Sequence, residues 1–278
     1  MDLRTKIGLG TVQFGIDYGI SNQIGKTPKN EVIDILKTAY NLKIDLIDTA
    51  VAYGDAEIVI GSCDVSKFKI VSKFMSSVSH GSVSSQLNES LKKLKVSTLY
   101  GYLAHRPMSL IENPNDWGEL IKLKKEGKIG KIGFSLNTTN ELQLLIDSGF
   151  RPDLIQVPYN YFDKRFENLM IQLKTEGCEV HSRSTFLQGL FFIKPAQLSS
   201  FFNDIKPIIT KLQNDNKFLA GALLKYVLKK DFIDKVIVGV ENSQQLIQNI
   251  SDLENAEELE EFNNVIKNEI ISPVLWKK

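Results

Sequence analysis

Four polar residues stand at or just after the ends of three successive strand-like runs, and together they could move a proton. Asp48 ends an apolar run in DLIDTAVAYGDAE, and Tyr53 follows it across a loop of small residues. Lys73 comes at the end of KIVSKF, and His105 follows the run in TLYGYLAHRP. Polar groups at the ends of neighbouring strands can face one pocket, so we expect these side chains to meet there.

These residue types suit the protonation of a carbonyl oxygen while a hydride is added to its carbon. A phenol with a pKa near ~10 is a poor acid at neutral pH unless a nearby cation favours its ionised form. Lys73 would be that cation, and Asp48 would keep it protonated. His105 could orient the oxygen by a hydrogen bond. The pattern predicts acid/base chemistry at a carbonyl, with Tyr53 as proton donor.

In order and local motif, the four residues resemble the Asp, Tyr, Lys and His tetrad of the aldo-keto reductase family, here in the order Asp48, Tyr53, Lys73, His105. The stretch RSTFLQGL resembles a bacterial branch of that family. The resemblance implies an NAD(P)-dependent oxidoreductase that reduces a small carbonyl compound to an alcohol, or catalyses the reverse reaction. Association of that branch with sugar metabolism favours a polar, sugar-like substrate.

The resemblance also implies how a nicotinamide dinucleotide would bind. Ser135 and Gln156 would hold the carboxamide, although Leu136 stands where many members have Asn. Arg183 replaces a Tyr that lies against the nicotinamide ring in many members, and a guanidinium plane can also stack. From the nicotinamide end to the adenosine end, the matching positions are Gly10, Thr11, Ser135, Gln156, Arg183, Ser184, Phe186, Gly239, Glu241, Gln245 and Asn249.

Substrate-contacting positions are predicted on two further segments. Phe14 and Tyr18, after the first strand, would shape the mouth of the pocket, with an aromatic cover over the core as the alternative. Arg106, next to His105, could favour an anionic group, unless Pro107 turns it to solvent.

The charge pattern near the adenosine end favours NAD(H) over NADP(H). A 2′-phosphate is usually bound by Arg or Lys, yet no Lys or Arg occurs from Val236 to Ile266. Glu241 lies in this segment and could accept a hydrogen bond from the ribose 2′-hydroxyl. The alternative is that Glu241 points to solvent while Arg183 or a lysine from the 193–195 loop reaches the phosphate.

Eight strand and helix units must position these residues. Apolar strands that alternate with amphipathic helices indicate a parallel sheet buried on both faces. Eight such units predict an α/β chain whose residues 1–278 form a single (β/α)8 TIM barrel domain. The predicted strands are 6–9, 46–48, 69–73, 98–104, 131–135, 154–157, 179–184 and 235–238. The predicted helices are 29–42, 55–61, 82–94, 117–126, 139–147, 166–176, 198–212, 217–228 and 243–250, with 252–261 as a solvated terminal helix.

Composition excludes several other classes of protein. A chain of 278 residues with 42% hydrophobic residues can bury a large core, and a net charge of +1 gives no case for nucleic acid or membrane partners. Cys63 and Cys178 have no CxxC spacing, and no apolar run is long enough to span a membrane. We therefore expect a cytoplasmic protein; its oligomeric state is left open.

Three alternative functions compete with that of a reductase. Lys73 could form a Schiff base as in an aldolase, but that needs a depressed pKa, which a neighbouring Asp48 opposes. A nucleotide-binding regulatory subunit with little turnover is the second alternative, because fold does not fix function. A metallohydrolase is the weakest, since the histidines His80, His105 and His181 show no ligand pair at short spacing.

Overall fold

The computed structural model describes residues 2–276 and contains a closed barrel of eight parallel strands. The strands follow one another in chain order, and the last pairs with the first. The predicted fold class is therefore confirmed. The strands are β1 (Ile7–Gly10), β2 (Leu46–Asp48), β3 (Lys69–Phe74), β4 (Leu99–Ala104), β5 (Ile129–Ser135), β6 (Leu154–Pro158), β7 (Glu179–Arg183) and β8 (Lys235–Gly239).

A layer of helices surrounds the barrel, and none of the helices described in residues 2–276 is long and apolar enough to cross a membrane. The longer helices are Lys29–Asn41, Ala56–Ile60, Val83–Leu94, Asn115–Lys125, Thr139–Asp147, Glu167–Thr175, Lys206–Asp215, Leu219–Leu228 and Ser243–Asn255. One-turn helices occur at Val12–Gly15, Ser77–His80, Ser109–Glu112 and Asn268–Ile271. Segments of 3₁₀ helix occur at Leu3–Lys6, Leu187–Phe192, Pro195–Gln197, Ser200–Ile205 and Pro273–Leu275.

Strand alternation decides which side chains enter the barrel. Side chains two residues apart lie on the same face of a strand. An apolar layer formed by Leu46, Val71, Leu103, Leu154 and Ile237 packs as one buried cluster. Each of four of these apolar residues is followed two positions later by a polar residue. The polar residues are Asp48 on β2, Lys73 on β3, Gln156 on β6 and His105 just after β4. This alternation aims all four towards the mouth at the carboxyl ends of the strands.

Two predicted helices differ from the observed structure. The acidic segment does not form a terminal helix, because the last long helix ends at Asn255 and Ala256 has an extended backbone. Its carboxylates instead bind the preceding layer: the Lys230 Nζ lies 2.6 Å from Glu261, whose other oxygen accepts from the Tyr226 hydroxyl at 2.7 Å. The predicted helix 198–212 begins as a 3₁₀ segment and becomes α-helical only at Lys206.

Candidate active site

A buried ion pair lies at the centre of the barrel mouth. The Lys73 Nζ is 2.6 Å from Asp48 Oδ1, donates to the Thr49 carbonyl at 3.0 Å and lies 3.5 Å from the Tyr53 hydroxyl. Gln156 Nε2 donates to the other carboxylate oxygen, Asp48 Oδ2, at 2.7 Å. Lys73 is 0% exposed and Asp48 3% exposed. Each charge is thus desolvated, paired and hydrogen-bonded, which a buried ion pair needs in order to persist.

A close contact between two loops fixes the position of Tyr53. Gly15, at the end of the Val12–Gly15 turn, packs so tightly on the Tyr53 loop that a Cβ would lie 1.7 Å from the Tyr53 carbonyl oxygen. No side chain fits there without moving the loop. On the ring side, Tyr53 and His105 make an edge contact with centroids 5.6 Å apart and planes at 86°. The backbone and the ring of Tyr53 are therefore both held.

The electrostatics of Tyr53 differ from the simplest expectation. Burial raises the pKa of its phenol, and although the Lys73 ammonium acts in the opposite direction, the net pKa is raised above its ordinary value. Lys73 thus acts in the expected direction, but the effect of burial is larger. The outcome is a phenol that retains its proton at neutral pH, which suits the donation of a proton more than its removal.

His105 is held as a neutral imidazole. Burial, together with the positive charges of Lys73 and Arg183, lowers its pKa to about 3. Its Nδ1 atom is buried and has no hydrogen-bond partner among the described residues. A neutral imidazole has a single N–H to donate, so it can offer a hydrogen bond to an oxygen without adding a charge.

The lowered pKa of His105 predicts a loss of stability in acid. The unfolded chain binds a proton at this imidazole below a pKa near ~6.5, whereas the folded chain does so only near pH 3. The free energy of unfolding should therefore fall as the pH decreases from about 6.5 towards 3, with about 1–2 kcal/mol of the loss at pH 5 due to this residue. Denaturant unfolding at pH 7 and pH 5 would measure it.

Comparison with the variant His105→Gln isolates the contribution of His105 to this loss of stability. Other groups also titrate in this range, but the variant lacks only the imidazole, so its loss between pH 7 and pH 5 should be smaller than that of the parent protein. His80→Gln is the matched control, because His80 is exposed. Equal losses in His105→Gln and the parent protein would contradict the assignment.

A pocket opens beside the ion pair and extends to the end of β8. It encloses about 960 Å³ of free space, including the open solvent at its mouth. Its walls combine strand ends with two long loops, residues 16–28 after β1 and residues 184–194 after β7. The predicted site residues in its lining are Gly10, Asp48, Tyr53, Gln156, Arg183, Ser184, Phe186, Gly239, Glu241 and Gln245.

Five predicted contact residues do not line this pocket, and neither do the predicted catalytic residues Lys73 and His105. Phe14 is 0% exposed and belongs to the hydrophobic core, because the short helix turns its ring inward while Gln13 faces the pocket. The Thr11 hydroxyl donates to the Asp48 carbonyl at 2.9 Å, so it supports the site from behind. Arg106 is exposed outside the lining, and Asn249 is buried in the last long helix. Tyr18, the second predicted aromatic at the mouth, does line the pocket.

Ser135 lies outside the lining as well, but its neighbour in the sheet is Gln156, with which it is in register. It is 5% exposed. Its position at the end of β5 is the predicted one, and its contact with a carboxamide stays a prediction.

Several lining residues were missed by sequence reasoning. One is Gln13, on the one-turn helix Val12–Gly15. The others lie on the two long loops and include Ser21, Thr185, Gln188 and Phe192. The loops touch each other across the pocket: Gln188 Nε2 donates to the Tyr18 hydroxyl at 3.0 Å. At Gly189, where φ is +88°, a Cβ would lie 1.9 Å from Ser21 Oγ. Two features of the sequence could have indicated that these loops line the pocket: the length of both loops and the glycine that ends RSTFLQG.

The helix that begins at Ser243 offers fewer free donors for a phosphate than expected. Its first backbone N–H, that of Ser243, donates to Glu31 Oε1 at 2.6 Å. The N–H of Gln245 donates to the Asn242 side chain at 2.7 Å, and that of Glu241 to Gln245 Oε1 at 2.7 Å. A carboxylate therefore already lies at this helix N-terminus, where an anion would otherwise bind.

Comparisons with known proteins identify relatives of this chain. The sequence model of the aldo/keto reductase family matches residues 6–267. Methylglyoxal reductase DkgA of Salmonella typhimurium is 31% identical over 151 residues, which are 51% of this chain and 55% of that protein. The Escherichia coli K12 protein of the same name is 30% identical over a segment of the same length. The chain spans about half the length of the curated relatives it matches.

Solved structures show the same fold at lower identity. Aldo-keto reductase AKR11C1 of Bacillus halodurans (holo form) superposes with a TM-score of 0.71 and 19% identity, over 98% of this chain and 92% of that one. The protein PA4992 of Pseudomonas aeruginosa superposes with a TM-score of 0.68 and 24% identity, over 89% of this chain and 88% of that one. Since the family model covers nearly the whole chain, this protein belongs to the aldo/keto reductase family.

Proposed function

We propose that the protein is an NAD(P)-dependent oxidoreductase that reduces a small carbonyl compound to an alcohol. The observation that carries this proposal is the Tyr53 hydroxyl, which lines the pocket 3.5 Å from the Nζ of a lysine paired with Asp48. A bound reduced nicotinamide would supply the hydride for the carbonyl carbon, and Tyr53 would give its proton to the oxygen. His105 donates a hydrogen bond to the same oxygen.

Consumption of reduced cofactor with a panel of carbonyl compounds tests the proposal. Methylglyoxal belongs in the panel because the curated relatives are named as its reductases, and sugar-derived aldehydes belong there because of the bacterial branch that the sequence resembles. The lining mixes the aromatic Tyr18 and Phe192 with the polar Gln13 and Gln188, which suits a small polar substrate with an apolar face. No turnover with any member of the panel, despite cofactor binding, would favour the regulatory-subunit alternative.

The geometry disfavours the Schiff-base alternative. Burial alone lowers the pKa of Lys73, but the Asp48 carboxylate and the Tyr53 phenol more than offset this, so that its pKa is raised. An amine nucleophile needs the opposite shift. Treatment with borohydride in the presence of substrate should therefore trap no adduct at Lys73.

Within this function we propose a preference for NAD(H). Arg183 is the only Lys or Arg among the described residues that line the pocket, and it lies at the end of β7, whereas Glu241 lies beyond β8. Glu31 occupies the N–H of Ser243 nearby. A 2′-phosphate at this end would meet two carboxylates and no guanidinium or ammonium group, whereas a 2′-hydroxyl could donate to Glu241. A cytoplasmic location, with free thiols at Cys63 and Cys178, is part of the same proposal.

Titration of both reduced cofactors by protein fluorescence checks the preference. NADH should bind at least as tightly as NADPH, and Glu241→Lys should move the ratio of the two dissociation constants towards NADPH by about tenfold, the scale of one charge-assisted contact. Glu254→Lys is the matched control, because it makes the same change of charge at an exposed site in the last turn of the helix that follows Glu241. NADPH binding more than tenfold tighter than NADH in the parent protein would refute the proposal.

A further inference from the structure

Arg183 is a cation of the pocket whose hydrogen-bond partners are all neutral; Asp48 and Glu241 line the same pocket, but Asp48 is paired with Lys73. Its Nη2 donates to the Leu136 carbonyl at 2.8 Å and to Asn137 Oδ1 at 2.7 Å, and its Nη1 donates to Ser184 Oγ at 3.2 Å. All of these acceptors are neutral. No Asp or Glu in residues 2–276 forms an ion pair with its guanidinium, in contrast to Lys73, which is paired with Asp48.

The contacts fix this charge near the reacting groups. Arg183 ends β7, opposite Pro158 in register, and its guanidinium reaches across the end of β6 to the segment after β5. For the imidazole of His105, burial and Lys73 are the larger causes of its lowered pKa, and the charge of Arg183 adds to them. For the phenol of Tyr53, Arg183 also acts to lower the pKa, after burial, Lys73 and Asp48, although the net pKa stays raised. Arg183 and Tyr53 line the same pocket, so a group that transfers a hydride to a carbonyl beside Tyr53 would share that pocket with a cation that forms no ion pair with a described residue.

The charge of a nicotinamide ring changes in hydride transfer. The reduced ring is neutral, and loss of a hydride, a proton with two electrons, leaves a ring with one positive charge. The hydride forms a C–H bond at the carbonyl carbon, and the carbonyl oxygen takes a proton from Tyr53. The oxidised ring alone is repelled by a fixed cation at short range.

We propose that Arg183 makes the pocket selective for the reduced dinucleotide and so biases the protein towards carbonyl reduction. This inference rests on the proposed function. The neutral reduced ring binds beside the guanidinium, whereas the cationic oxidised ring is repelled and leaves after the reaction. An aromatic side chain in place of Arg183 would carry no net charge and would not discriminate between the two forms in this way.

Dissociation constants of NADH and NAD⁺, measured by calorimetry, test the proposal without turnover. In the parent protein NADH should bind about tenfold more tightly or better, and a tenfold ratio corresponds to about 30 mV in the potential of the bound cofactor. Arg183→Met, which removes the charge, and Arg183→Gln, which keeps hydrogen-bond donors for Leu136 and Asn137, should both bring the ratio close to one. Arg183→Lys should retain most of it.

The matched control is Arg151→Met, which removes one positive charge from an exposed position and should leave the ratio unchanged. A ratio in Arg183→Gln equal to that of the parent protein would overturn the inference while leaving the proposed function intact. Failure of the parent protein to bind either dinucleotide would instead overturn the proposed function, and the inference with it.

Discussion

Replacing Tyr53 with Phe is expected to lower the turnover of carbonyl reduction by at least ~100-fold, the usual scale for a positioned general acid. The ring, its edge contact with His105 and the packing of the loop on Gly15 remain in the variant. Only the hydroxyl beside the Lys73 Nζ is lost. The dissociation constant of the reduced cofactor should therefore stay within about threefold, so the loss should appear in kcat. Stopped-flow measurement of hydride transfer would locate it in the chemical step.

Tyr18→Phe is the matched control for this substitution. It removes the same atom from a second phenol in the lining, one that accepts a hydrogen bond from Gln188 at 3.0 Å and lies in the loop after β1. The proposed mechanism assigns no proton transfer to Tyr18, so we expect a far smaller change in the chemical step. Near-full turnover in Tyr53→Phe would contradict the mechanism.

Residues at strand ends could be predicted from sequence because their positions depend on local rules. Apolar runs mark the strands, alternation sets the direction of each side chain, and chain order sets the neighbours in a parallel barrel. For this reason Asp48, Lys73 and Gln156 lie on the strands where the sequence predicted them, while their roles stay predictions. What could not be predicted was the hydrogen bond from Gln156 to Asp48, which joins residues 108 positions apart in the sequence.

The long loops were harder to predict because contacts between them decide their conformation. Leu187 and Gln188 have φ angles of +47° and +55°, which residues with side chains rarely adopt. The contact of Gly189 with Ser21 accompanies this conformation, but it depends on a loop from the other end of the chain. Phe14 was misplaced for a related reason: an unpredicted one-turn helix reversed the direction in which its ring points.

Lys73→Met should be as damaging to turnover as the loss of Tyr53, and it should also destabilise the fold. The lysine is fully buried and neutralises Asp48 at 2.6 Å. Its removal leaves a buried carboxylate whose remaining support is the amide of Gln156. Breaking a buried ion pair by removal of one partner typically costs about 3–5 kcal/mol. Denaturant unfolding of the variant should show a loss of this size, together with turnover at least ~100-fold lower.

The double variant Asp48→Asn with Lys73→Met separates the two effects. It removes both charges, so no unpaired carboxylate remains, and the asparagine can still accept a hydrogen bond from Gln156 through its carbonyl oxygen. Most of the stability should therefore return. Turnover should not return, because the proposed acid, Tyr53, would still lack the ammonium group that favours release of its proton. A double variant that regained both would show that Lys73 serves the fold alone, whereas recovery of stability without turnover would assign it to the proton transfer.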